Sequence, residues 1–191
     1  MKTKHYTQLF AAALVGALAS CSSPQPTVTR VPVSSSFGSQ AALSDQVFAE
    51  VNSYRASKGK ATLQRHAGLD RLAQQHCDYL AKNGDKQSLY GKYVSHYGFE
   101  GRSDMARYQY KIMTLSENVV ASTNRSPKHL INLWSGSKGH EHNMRGDWTY
   151  TGVATAVNAQ GMVVSTQLFG SAPNSFNGAM AGVSPSFSQQ W

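Results

Sequence analysis

The spacing of apolar positions changes along the chain, and each change predicts an element. Val47, Val51 and Tyr54 recur on one helical face. Ser44 is placed to cap that helix, Asp45 lies in its first turn, and Lys58-Gly59 ends it. A second helix is predicted from Ala67 to Asn83. Its apolar positions Leu69, Leu72, Ala73, His76, Cys77 and Leu80 follow an i, i+3, i+4 pattern, and Gly84 is the stop. A third is predicted over Asp104–Met113. A fourth begins at Ser126-Pro127, a capping residue followed by proline at the first helical position, and carries Leu130, Ile131, Leu133 and Trp134. Near the end the period falls to two. Thr149–Val157 and Met162–Phe169 read as strands joined through residues 158–161, with a further short strand near Glu117–Ala121. Helices first and a late antiparallel pair predict an α+β layered domain over residues 44–170.

The flanks have a different character. Lys2 and Lys4 precede an apolar run, LFAAALVGAL, which is shorter than the roughly 20 residues a spanning helix needs and suits a secretory signal over residues 1–20. Leu18-Ala19-Ser20-Cys21 follows and resembles the bacterial lipobox. That resemblance implies cleavage before Cys21 and lipidation of its thiol, hence a membrane anchor. Ser22 stands where an aspartate would favour inner-membrane retention, which points to the outer membrane. Residues 21–43, rich in Ser, Pro, Thr and Val, are read as the lipidated cysteine and a tether, and residues 171–191 as a loose tail. With Cys21 lipidated, Cys77 has no disulfide partner and reads as a buried small hydrophobe.

The chain has 191 residues and a net charge of +8. No Lys/Arg run interleaved with aromatics accompanies that charge, so nucleic acid is set aside as a partner. Anionic lipid or contact with wall polymer suits it equally well.

The densest chemistry is Trp134–Met144, WSGSKGHEHNM. Ser135-Gly-Ser-Lys138 matches S-x-x-K, but the companion K-T-G is missing, and G-x-S-x-G is absent. His140 and His142 lie two apart. On a helix they face different ways, so one at most can face a site, with its partners coming from elsewhere. Ser95-His96-Tyr97-Gly98 and Ser116-Glu117-Asn118-Val119 supply candidates. Tyr90, Tyr93, Tyr97 and Phe99 surround His96 and can either wall a cleft or pack as a tyrosine-rich loop. His66, His76, His129 and His142 are read as surface or satisfied core positions.

Taken in order, residues 51–84, SHYG, SENV, the tryptophan helix closing in W-x-x-S-x-G-H-x-x-N-M, TGVATAV and STQLFG resemble a CAP domain in a bacterial, disulfide-free form. CAP domains are shared by cysteine-rich secretory, antigen-5 and plant pathogenesis-related proteins. The resemblance implies a three-layer α/β/α sandwich with a small antiparallel sheet between helices. It also implies a surface cleft that in eukaryotic relatives holds two histidines and two glutamates. His96, Glu117 and His140 match three of these. The second glutamate has no counterpart; Ser137 stands near its place, and Glu141 and Asn118 are secondary candidates. Two imidazoles and a carboxylate can hold Zn²⁺ or another divalent metal, with His96 and His140 as ligands. They can equally form a hydrogen-bonded cluster or brace a loop. The expectation is an envelope-anchored domain binding a small apolar or lipid- or sterol-like ligand, a divalent metal or an envelope partner without catalysis. The alternative is a metal-assisted hydrolase, a peptidase or wall-directed enzyme, using His96, Glu117 and His140.

Overall fold

The computed structural model describes residues 35–84 and 90–173. The leader, Cys21, the first part of the tether and the tail beyond residue 173 lie outside them. Among the described residues no helix is long and apolar enough to cross a membrane.

The first helix, α1 (Ser35–Ser57), starts ahead of the cap expected at Ser44, so residues 35–43 are helical. The Ser44 hydroxyl donates back to the Gln40 carbonyl at 3.0 Å and meets Thr155 Oγ1 at 3.2 Å. A serine bonded to the i−4 carbonyl sits inside a helix, not at its entrance. After the two-residue strand β1 (Gln64–Arg65) comes α2 (Ala67–Asn83), with the bounds its periodicity predicts. Its cap is the His66 ring, whose Nδ1 accepts the Gly68 and Leu69 N–H groups at 3.1 and 3.3 Å. Cys77 is buried in its stripe, and burial pushes the thiol up to about 12, which leaves it unreactive.

The third helix, α3 (Phe99–Tyr110), overlaps the predicted span over residues 104–110 but starts five residues earlier and ends three earlier. Gly98 opens it at φ 75, and Lys111, at φ 59, ends it in the left-handed conformation. Ile112 and Met113 therefore lie beyond it, and the Met113 N–H bonds the Ser171 carbonyl at 2.9 Å. Strand β2 (Thr114–Ser122) is longer than predicted. Helix α4 (Pro127–Ser135) begins at the proline as expected, although Ser126 makes no side-chain cap bond. A further helix, α5 (Lys138–Arg145), then occupies the polar stretch, over which the apolar pattern predicts no element. Its only large apolar residue is Met144, so tertiary contacts must hold it. The buried Arg55 guanidinium supplies some, donating to the Met144 and Gly146 carbonyls at 2.6 and 2.9 Å, where a cation suits a helix C-terminus.

Strands β3 (Tyr150–Val157) and β4 (Val163–Ser171) form the expected hairpin, with Asn158 Oδ1 accepting the Gln160 and Met162 N–H groups. Ser171, read as the start of the tail, is the last residue of β4. The sheet order is β1-β3-β4-β2. Only β1 pairs in parallel, which makes the sheet mixed rather than purely antiparallel.

Side chains of the two sheet faces enter two separate cores. Val119, Ala154, Val164 and Leu168 pack with Leu69, Leu72, Cys77, Leu80 and Ala106, from α2 and α3. Val120, Val153, Val163 and Phe169 pack with Val47, Val51, Leu130, Trp134 and Met144, from α1, α4 and α5. This is a three-layer α/β/α sandwich of the α+β class. The layers touch closely at Gly152, where a Cβ would sit 2.2 Å from the Leu69 backbone. Only glycine lets α2 lie that near β3.

Candidate functional site

Successive residues of β2 point to opposite faces, so Glu117 and Asn118 enter different layers. Glu117 faces α2 and α3. Its carboxylate is 5% exposed as a residue and is held from two sides. Arg102, on the first turn of α3, donates through Nε to Oε2 at 2.7 Å and through a terminal nitrogen to Oε1 at 2.8 Å, a two-point grip. Arg102 also donates to the Tyr97 carbonyl at 3.0 Å, which ties α3 to the loop carrying His96. His96 donates Nδ1–H to Glu117 Oε1 at 2.9 Å. His76 stands behind, its Nε2 donating to the Ser95 carbonyl at 2.6 Å and lying 3.8 Å from Oε1. Burial alone would raise the Glu117 carboxyl. The His96 hydrogen bond and the charge of Arg102 outweigh it and hold the group below its usual range. Burial lowers His76 and keeps it neutral.

Asn118 faces α4 and α5. Its amide donates to the His140 carbonyl at 3.0 Å, and its Oδ1 accepts from Asn143 at 2.9 Å. Asn143 also donates to the Glu117 carbonyl at 3.3 Å, and its own carbonyl accepts the Trp148 indole N–H at 2.8 Å. These bonds fix α5 against β2 and so fix His140. Burial, with His96 nearby, pushes the His140 imidazole down to about 4.

The two layers meet at one pocket of about 340 Å³. His96, Glu117, His140, Ser137, Ser116 and Asn143 supply its polar lining. Val94, Phe99, Val119, Val120, Ala121, Leu133, Trp134 and Tyr90 supply the rest with Gly139. The structure thus brings His96, Glu117, His140 and Ser137 to one hollow. Asn118 is wholly buried behind it and acts as a brace. Glu141 is not in the lining. It faces away, accepting from the Tyr54 hydroxyl at 3.0 Å and from Arg145 at 3.2 Å, because the position after His140 on a helix is turned about 100° from it. Of the tyrosines near His96, only Tyr90 walls the pocket. Tyr97 stacks on Tyr79 at 5.5 Å and is exposed, and Tyr93 bonds Gln160. Trp134 is buried as expected, but its Nε1 has no acceptor among the described residues.

Arg102 and His76 are the site residues that sequence reasoning missed. Arg102 bears on the metal reading. Both Glu117 oxygens are taken by Arg102 and His96, so Glu117 supplies no third ligand beside the two imidazoles. A catalytic zinc takes three protein ligands, and among the described residues no three His, Cys, Asp or Glu groups are placed to hold a metal. The donor set does not fit such a centre.

The model of the CAP family, the cysteine-rich secretory protein family, matches residues 48–169. The chain belongs to the CAP family. Its fold is similar to that of an outer surface protein from Borrelia burgdorferi, at 15% identity and a TM-score of 0.56, covering 69% of this chain and 93% of that one. It is also similar to an extracellular protein containing an SCP domain from Bacillus anthracis, at 18% identity and a TM-score of 0.53, covering 69% of this chain and 41% of that one. A cysteine-rich secretory protein from Staphylococcus aureus is similar at 14% identity and a TM-score of 0.53, covering 69% of this chain and 39% of that one. This chain therefore spans about four tenths of the last two. At these identities the likeness is one of fold. Comparison with curated proteins gave no match.

Proposed function

We propose that this CAP domain is an envelope-located binding protein whose pocket beside β2 takes a small ligand with an apolar body and a hydrogen-bonding end, without catalysis. One observation carries the reading. The carboxylate in the pocket wall is already neutralised by a two-point arginine and a histidine, while most of the remaining wall is apolar. A locked anion of that kind neither ligates metal nor moves a proton readily. The location draws on the leader and the lipobox-like Cys21, and on relatives described as outer-surface and extracellular. Lipidation at Cys21 would tether the domain to the membrane, and Cys21→Ser should then release the chain from the membrane fraction.

Leu133 lines the pocket and is 40% exposed, so it stands at the pocket's lip. Calorimetric titration of the full chain with dodecanoate should show saturable binding, and Leu133→Asp should weaken it at least tenfold. Absence of saturation, or indifference to Leu133→Asp, would sink the reading.

The His96–Glu117 contact favours a second reading. A carboxylate that orients an imidazole through Nδ1 is the arrangement of a general base. As a metal-assisted hydrolase the site would need a third ligand. Stoichiometric zinc retained after dialysis, and lost on His96→Ala or His140→Ala, would restore that reading.

A further inference from the structure

The pocket is lined by Ser116, Glu117, Val119, Val120 and Ala121, an almost continuous run of β2. A pocket lying over one sheet face would meet alternate residues only. Val119 and Val120 belong to different cores on different faces, yet both line it. The pocket therefore runs along the edge of the strand. That edge is open in the ladder, because among the described residues β2 ends the sheet and pairs with β4 alone.

Which backbone groups face the edge follows from the bonding. The Gln64 and His66 N–H groups bond the Thr149 and Thr151 carbonyls, so odd-numbered residues of β3 face β1. Val153 fits, its N–H going to Asp70 and its carbonyl to Arg65. Even residues of β3 then bond β4, and the register passes the odd residues of β4 to Ser116, Asn118 and Val120 of β2. Leu115, Glu117, Val119 and Ala121 are left pointing outward. The Asn143 amide on the Glu117 carbonyl marks that direction independently. It satisfies the Glu117 carbonyl only. Among the described residues nothing bonds the outward N–H and C=O of Val119 or Ala121. Val119 is 1% exposed, and unpaired backbone groups at such depth are costly.

We infer that the ligand of this pocket is an extended peptide segment that pairs with Val119 and Ala121 as an added strand and places an apolar side chain between Leu133, Trp134 and Phe99. Paired N–H and C=O groups at strand spacing are complementary to another backbone, and the flanking hollow supplies side-chain selection. The volume lies at the low end of the roughly 300–1,000 Å³ of ligand pockets, which suits one or two side chains of a chain continuing outside it. Glu117 carries no unmatched charge, so the seated side chain is uncharged. The inference rests on the pocket being a binding site and specifies its occupant.

The test is selection of a displayed random octapeptide library on the full chain, with Ala121→Pro as the counter-selected bait. Proline at an edge residue removes an outward N–H and no ladder bond. The most enriched peptide is then made end-capped, and again with N-methyl groups at alternate backbone nitrogens in each of the two phases. Expected are enrichment over the Ala121→Pro bait, at least tenfold weaker binding by that variant and by one of the two N-methylated peptides, and at least tenfold slower amide exchange at Val119 and Ala121 in the wild-type complex. The N-methylation and exchange arms decide the matter if Ala121→Pro folds poorly. No enrichment, or binding indifferent to both N-methylation phases with unchanged exchange at Val119 and Ala121, overturns the inference. Dodecanoate separates the two levels. Saturable, Leu133-sensitive dodecanoate binding without peptide pairing leaves the pocket and removes the strand. Peptide pairing without dodecanoate binding keeps the pocket and the strand and removes only the small free ligand, and neither ligand binding removes both.

Discussion

Glu117 and Asn118 are neighbours on β2, and the molecule braces them by opposite means. On the α2/α3 side an ion pair does it: carboxylate, guanidinium and imidazole joined by bonds of 2.7 to 2.9 Å. On the α4/α5 side a relay of neutral amides does it, from Asn118 to Asn143 and the His140 carbonyl. A buried ion pair concentrates large opposing energies in one place, so losing one member is severe and depends on pH. An amide relay spreads smaller energies over several bonds that do not titrate. The pocket lies where the two kinds of brace meet. Its charged wall is therefore rigid but sensitive to pH, whereas the amide relay bracing its other wall carries no titrating group.

The largest effect expected from this contrast is at Arg102. Arg102→Met leaves Glu117 buried with no cation gripping it, a loss of about 3–5 kcal/mol. The pH dependence should also reverse. In the wild type the Glu117 pKa is depressed, so its contribution is full above the unfolded value and is lost as pH falls through the folded value. In Arg102→Met burial raises that pKa, and the penalty grows as pH rises through the unfolded value. Urea unfolding at pH 5 and pH 8 checks this. A deficit no larger at pH 8 would show that His96 alone holds the carboxylate.

Asn143→Ala tests the other wall. It strips the partners from the Glu117 carbonyl and from Asn118 Oδ1, at a cost of about 2 kcal/mol. The same deficit at pH 5 and pH 8 is expected, and a deficit that changes with pH would erase the contrast. Weakened binding of pocket ligands should accompany it, because α5 loses its tie to β2.

The same contrast explains what could be read from sequence. The helix Ala67–Asn83 was legible because its burial is periodic and local. His96, Glu117 and His140 were legible through their ordered motifs. Arg102 was not, because a grip across 15 positions leaves no local pattern, and His76 was hidden in an apolar stripe where it reads as core. Helix α5 was missed because its stability comes from Arg55, Asn118 and Trp148, all outside its own span. β1 is two exposed residues that exist only because β3 offers an edge. The family resemblance gave the sandwich. Which acid is already gripped, and which strand edge is open, depends on contacts between distant segments that no local pattern records.

The smallest effect expected is at His140, on the neutral wall but close to His96. Its imidazole is pushed down to about 4 from an unfolded value of 6.5, so the folded state holds the neutral ring. The unfolded chain takes up a proton as pH falls through 6.5 and the folded chain does not. Stability from this group is thus complete above 6.5 and drains away toward pH 4. His76, lowered in the same direction, adds to that loss. His140→Gln keeps the backbone carbonyl that Asn118 grips and removes one titrating ring. It should flatten the fall in stability between pH 7 and pH 5 by about 1 kcal/mol, allowing for solvent at the half-buried ring. An unchanged slope would mean that His140 charges as easily folded as unfolded, and that the neutral wall is open to water where the structure closes it.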